Sequence, residues 1–103
     1  AIQTTVELSA QEQDFGTFPK EETKTGEILF KNTGDKPFVI YDVVTSCGCT
    51  KVDYPKTPVR PGETLKLAIT YEADKPGFFN KSLKVYGNMK GSPVKLVVRG
   101  QTN

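Results

Sequence analysis

The sequence predicts an all-β domain, an immunoglobulin-like antiparallel β-sandwich of about seven to eight strands in two sheets. Three observations carry that expectation. Short runs of alternating apolar and polar residues recur along the chain, most cleanly Leu65, Leu67, Ile69 and Tyr71 against Thr64, Lys66, Ala68 and Thr70. Clusters of Gly, Pro, Asn and Asp separate the runs, as at Asn32-Thr33-Gly34-Asp35-Lys36-Pro37 and Asp74-Lys75-Pro76-Gly77. No window combines a 3.6-residue apolar period with freedom from Gly and Pro, so no helix is expected.

In chain order, Val6 and Leu8 mark a first short strand and Phe15 a second. A run beginning near Thr23 carries Ile28 and Phe30 on one face and Leu29 and Lys31 on the other, and stops at the Asn-Thr-Gly turn. Phe38 to Val44 is rich in β-branched and aromatic residues, and Lys51 to Tyr54 is a short strand beyond it. Pro55, Pro58 and Pro61 impose an extended loop or an edge. Phe79, Leu83 and Val85 share a face that Lys81 interrupts, so a bulge or an exposed strand start is expected there. Gly87 to Gly91 reads as a hairpin loop, and Val94, Leu96 and Val98 form the last strand. A small closed barrel is the competing architecture. The lack of tryptophan and of widely spaced cysteines excludes the antibody-type disulfide core.

The 103 residues read as one domain spanning 1–103, able to bury roughly 65% of its unfolded surface. A net charge of +2 is too small to imply a nucleic-acid partner, and no 18-residue apolar run supplies a membrane span. Ala1-Ile2-Gln3 is compatible with an end left by leader cleavage, although composition alone leaves localisation open.

Cys47 and Cys49, one residue apart in Ser46-Cys47-Gly48-Cys49-Thr50, are the chain's only cysteines and its leading candidates for chemistry. A disulfide between them needs a bend, which Gly48 could provide through positive φ. As a staple closing a three-residue ring it would contribute only about 1.6 kcal/mol in the loop-entropy treatment. With no histidine anywhere, the thiols lack the usual activating neighbour, and Lys51 is the nearest cation in sequence. Two thiolates alone suit Cu(I), with Met89 as a distant third ligand, whereas zinc wants four donors. A structural role, as packed thiols or as a strand-end disulfide, is the preferred reading, with exchange chemistry and soft-metal binding beside it.

Other constellations point away from catalysis. A Ser-His-Asp triad is impossible without histidine, and Glu21, Glu22, Asp53, Glu63, Glu72 and Asp74 fall on scattered turns and strand ends. Lys84, Lys95 and Arg99 read as a solubilising outer face, without the interleaved aromatics of a nucleic-acid site. Tyr41, Phe78 and Val97 sit off their strands' core parity or at a strand entrance, and are candidates either for an apolar contact surface or for cover by a second sheet or an edge loop.

Asp14-Phe15-Gly16-Thr17, then Phe30 through Pro37, then Ser46-Cys47-Gly48-Cys49-Thr50 resemble the bacterial family known as domain of unknown function 1573. Pro61-Gly62-Glu63, Gly77-Phe78-Phe79-Asn80-Lys81 and Leu96-Val97-Val98-Arg99-Gly100 extend the resemblance over nearly the whole chain. One departure from the family's usual pattern is visible, Gly87-Asn88 after Tyr86, where related chains often place an Asn-containing turn straight from the strand. The resemblance implies a sandwich of the Hydin and major-sperm-protein type, an extracytoplasmic setting in the periplasm or at the cell surface, and no assigned activity. The functional expectation is therefore a monomeric, non-enzymatic binding or structural module with an unidentified protein partner. No nucleic acid, cofactor, metal or catalytic residue is expected, and thiol-disulfide or Cu(I) chemistry at Cys47 and Cys49 is the alternative.

Overall fold

The computed structural model describes residues 2–103 and contains eight strands and no helix among them. The first sheet is built from β1 (Val6–Leu8), β3 (Thr23–Asn32), β6 (Thr64–Glu72) and β5 (Thr50–Asp53), in the order β1-β3-β6-β5. The second holds β2 (Glu12–Phe18), β8 (Val94–Thr102), β7 (Gly77–Gly87) and β4 (Ile40–Thr45), in the order β2-β8-β7-β4. The expected sandwich is thus present, in an elongated body of 45 × 20 × 19 Å. Every pair is antiparallel except β2–β8, which is parallel. The N-terminal stretch divides between the sheets: Ser9 exchanges hydrogen bonds with Leu29 of one, and two residues later the Gln11 carbonyl accepts from Val97 of the other.

The alternating patterns map onto the core as the period-2 argument requires. Ile28, Phe30, Leu65, Leu67, Ile69 and Tyr71 point inward from the first sheet, facing Phe79, Leu83, Val85, Leu96 and Val98 of the second. Tyr71 and Phe79 stack across the interior with ring centroids 3.8 Å apart, and Phe30 lies against Phe38 at 5.9 Å. Phe38 precedes β4 and makes an isolated bridge with Val59, which ties the proline-rich stretch to the core.

One local expectation is corrected. The β7–β8 register runs unbroken through Lys81↔Val98, so there is neither a bulge nor a strand start at Lys81. Its half-buried position on the core parity is explained by a long aliphatic stem that can carry the ammonium outward. The register shifts lie instead between Ile40 and Asp42 in β4 and between Asp14 and Thr17 in β2, both on edge strands, where bulges protect a sheet. Gly87–Gly91 lies in the expected hairpin connection between β7 and β8, and it is held to the body of the sandwich, with Met89 fully buried and Asn88 nearly so. Gly87 is required there: a Cβ would stand 2.6 Å from the Val39 carbonyl oxygen.

Candidate functional site

The Cys47–Cys49 pair lies where the chain leaves one sheet for the other. β4 belongs to the second sheet and β5 to the first, and only Ser46 to Cys49 separates them. The two cysteines are joined as a disulfide with Cα atoms 5.2 Å apart. Hydrogen bonds that do not involve sulfur hold both sides of this corner. The Ser46 amide donates to the Ser82 carbonyl at 3.0 Å, and the Ser82 amide donates to Ser46 Oγ at 3.1 Å. On the other side the Glu72 amide donates to the Cys49 carbonyl at 2.9 Å. Within the turn, the Cys47 carbonyl accepts from the Thr50 amide at 3.2 Å and from Thr45 Oγ1 at 3.1 Å. One bond does engage sulfur: the Cys49 amide donates to Cys47 Sγ at 3.2 Å.

Both cysteines are half-buried, and Cys49 packs against the core. The bend does not use the freedom expected of Gly48, which is not among the positive-φ glycines. A Cβ at Gly48 would meet nothing within 4 Å, so the glycine leaves open space beside the disulfide. Met89 does not approach this corner. The β4–β7 pairing places Thr45 at Leu83 and Ile40 at Gly87, so Met89 lies beyond the far end of a stretch about 13 Å long. No group of three or more His, Cys, Asp or Glu side chains converges among the described residues.

The three candidate contact residues do not form one patch. Tyr41 and Phe78 are exposed, at 65% and 87%, but Tyr41 adjoins the Tyr86 end of β7 and Phe78 lies eight residues away, about 26 Å along the strand. Val97 sits between them and is half-buried. Phe78 instead borders a surface groove of about 490 Å³, lined by Gly16, Thr17, Asn80, Arg99 and Gln101. Gly16 opens its rim at φ 69°, in the β2 bulge, where its amide donates to Asp14 Oδ1 at 2.9 Å. Arg99 is paired with Glu12 and with Asp14, so the groove carries no free cation there. Lys84 and Lys95 face each other directly across β7 and β8, away from Arg99.

The strand beside Phe78 has an open edge. β4 accompanies β7 only as far as Thr45↔Leu83, with Ser46 and Ser82 one step further, before the chain turns at the disulfide toward the other sheet. Gly77–Lys81 therefore pairs with β8 on one side and, among the described residues, has no strand on the other.

Two asparagines organise the opposite end, and the turn signal alone did not reveal their role. Asn32 is fully buried; its Nδ2 donates to the Lys36 and Val59 carbonyls at 2.7 and 2.9 Å. Its Oδ1 accepts from Thr4 Oγ1 at 2.7 Å and from the Gly34 amide at 3.1 Å. Asn88 donates from Nδ2 to the Pro37 carbonyl at 2.7 Å and accepts from the Val39 amide at 2.8 Å. Asn88 thus ties the entry of β4 to the β7–β8 connection. At the disulfide end, burial and then the nearby Asp74 carboxylate raise the Tyr71 phenol above its ordinary pKa of 10.0.

Comparison with known proteins matches residues 6–102 to a family described as "Protein of unknown function (DUF1573)". Among solved structures, a protein of unknown function from Porphyromonas gingivalis W83 superposes with a TM-score of 0.83 at 20% identity, covering 98% of this chain and 48% of that one. This chain therefore spans about half the length of that protein. The ASH/PapD-like domain 7 of human CEP192 superposes with a TM-score of 0.75 at 13% identity, covering 98% and 87% of the two chains. WR4, a Caenorhabditis elegans MSP family member, gives 0.58 at 11% identity, covering 98% and 100%. At these identities the likeness concerns the fold. No curated protein matches.

Proposed function

We propose that this chain, which belongs to the DUF1573 family, is a non-enzymatic binding module that works outside the cytoplasm and takes an extended segment of a partner protein. The observation that carries the reading is the open β7 edge at Gly77–Lys81 together with the 87% exposed ring of Phe78 beside it. An unpaired strand edge offers a row of backbone donors and acceptors to an incoming strand, and an adjacent exposed aromatic offers an apolar anchor. The polar groove, with the Asn80 and Gln101 side chains and a charge-neutralised Arg99, provides the rim such an interface needs. The extracytoplasmic setting rests on the family resemblance and is compatible with an oxidised cysteine pair.

The test compares wild type with Phe78→Asp and Lys66→Glu, the latter on the outer face of the first sheet, as immobilised baits for extracytoplasmic extract of the native organism. A single species retained by wild type and Lys66→Glu but lost with Phe78→Asp supports the reading. Retention that ignores Phe78→Asp, or recovery of the native protein only from the cytoplasmic fraction, contradicts it.

A further inference from the structure

We infer that the Cys47–Cys49 disulfide is an exchange site for an external thiol, one that opens and closes without unfolding the sandwich. This goes beyond the strand-docking surface and does not depend on it.

The first support is that the corner does not need the sulfur bridge. Hydrogen bonds from Ser46 to Ser82 and from Glu72 to Cys49 anchor both ends of the segment to different sheets, and Thr45 and Thr50 fix the Cys47 carbonyl between them. Two neighbours in a three-residue ring gain little from cross-linking when backbone bonds already hold them. The bridge thus adds least where the protein carries it. The second support is access, since the pair is half-exposed and Gly48 places no side chain over it. Neither close packing nor positive φ demands glycine at that position.

The third support assigns a direction. The Cys49 amide points at Cys47 Sγ, 3.2 Å away, where it can stabilise negative charge. An attacking thiolate RS⁻ bonds to Cys49 Sγ as the Cys47–Cys49 bond breaks, and the bonding pair departs on Cys47 Sγ. The result is a mixed disulfide on Cys49 and a thiolate on Cys47 held by the Cys49 amide. Cys47 can then re-attack Cys49 Sγ, expel RS⁻ and restore the ring. Alternatively, a second RS⁻ attacks the external sulfur of the mixed disulfide. That releases RSSR and leaves two thiols after proton uptake, a two-electron reduction of the protein by two RSH.

The probe is millimolar reduced glutathione acting on the native, oxidised protein. Aliquots are acid-quenched for intact mass and peptide mapping, with near-UV circular dichroism recorded in parallel. The expected result is a glutathione adduct on Cys49, and a reduced protein whose near-UV spectrum matches the oxidised one. At neutral pH the lone Cys47 thiol of Cys49→Ser should alkylate roughly tenfold faster than the lone Cys49 thiol of Cys47→Ser, a difference of about one pKa unit. Reaction only under denaturing conditions, or loss of the near-UV spectrum on reduction, overturns the inference. An adduct on Cys47, or equal alkylation of the two variants, overturns the assigned direction.

Discussion

Replacing Asn32 is the sharpest test of how the far end of the sandwich is held. Its side chain fills all four of its hydrogen-bonding positions in a site with no solvent access. In Asn32→Ala the Val59 carbonyl keeps the Phe38 amide and the Gly34 amide keeps the Thr5 carbonyl, but the buried Thr4 hydroxyl and the Lys36 carbonyl lose their partners. Counting about 1 kcal/mol for each of the four lost bonds gives a destabilisation of about 4 kcal/mol. That is a large share of the roughly 5–15 kcal/mol typical of a domain. Asn32→Asp is more informative still, because it turns a donor toward two carbonyl oxygens into a buried carboxylate. Burial and those carbonyls raise its pKa above the unfolded value, so the native state binds the extra proton. The penalty relative to wild type is therefore greatest at neutral pH and shrinks as pH falls through the raised pKa. Urea unfolding at pH 7 and pH 4 measures both effects through the midpoint at constant slope. A cost below about 1 kcal/mol for Asn32→Ala, or an Asn32→Asp penalty that does not ease on acidification, would refute the reasoning.

Four further substitutions test single groups. Thr50 Oγ1 is buried with no partner, so Thr50→Val should be neutral or stabilising by up to about 1 kcal/mol in urea unfolding. The raised Tyr71 pKa means the native state keeps its phenolic proton when the unfolded chain loses it. Its contribution is thus complete below pH 10 and lost as pH rises above it, and Tyr71→Phe should flatten the alkaline fall in thermal midpoint relative to wild type. Gly48→Ala should change the thermal midpoint little, whereas Gly87→Ala forces a Cβ against the Val39 carbonyl and should lower it by several degrees.

The fold was legible because its determinants are local and periodic. Leu65, Leu67, Ile69 and Tyr71 alternate so strictly that their burial follows from the strand period. Lys81 misled for the same reason: period-2 reading treats a charge on the core parity as a break, while the backbone register passes through it. Asn32 and Asn88 looked like turn residues, and the turn signal was right about the backbone but silent about partners 28 and 49 residues distant. A buried amide betrays its role only through long-range bonds. Phe78 was singled out by parity, yet the edge beside it depends on where β4 stops, a tertiary fact set by the corner at Cys47 to Cys49. The grouping of Tyr41, Phe78 and Val97 failed because parity gives the face of a sheet and not the position along it.

The central claim, that function resides in a docking edge, is tested most directly by site-specific photo-crosslinking in the native compartment. A photoreactive residue is placed at Asn80 on the open β7 edge or at Lys66 on the opposite sheet, each in wild-type and Cys47→Ser/Cys49→Ser backgrounds. The account predicts one discrete protein adduct from position 80 in both backgrounds and none from position 66. Equal labelling from both positions, or an adduct at position 80 that vanishes without the cysteines, would contradict it.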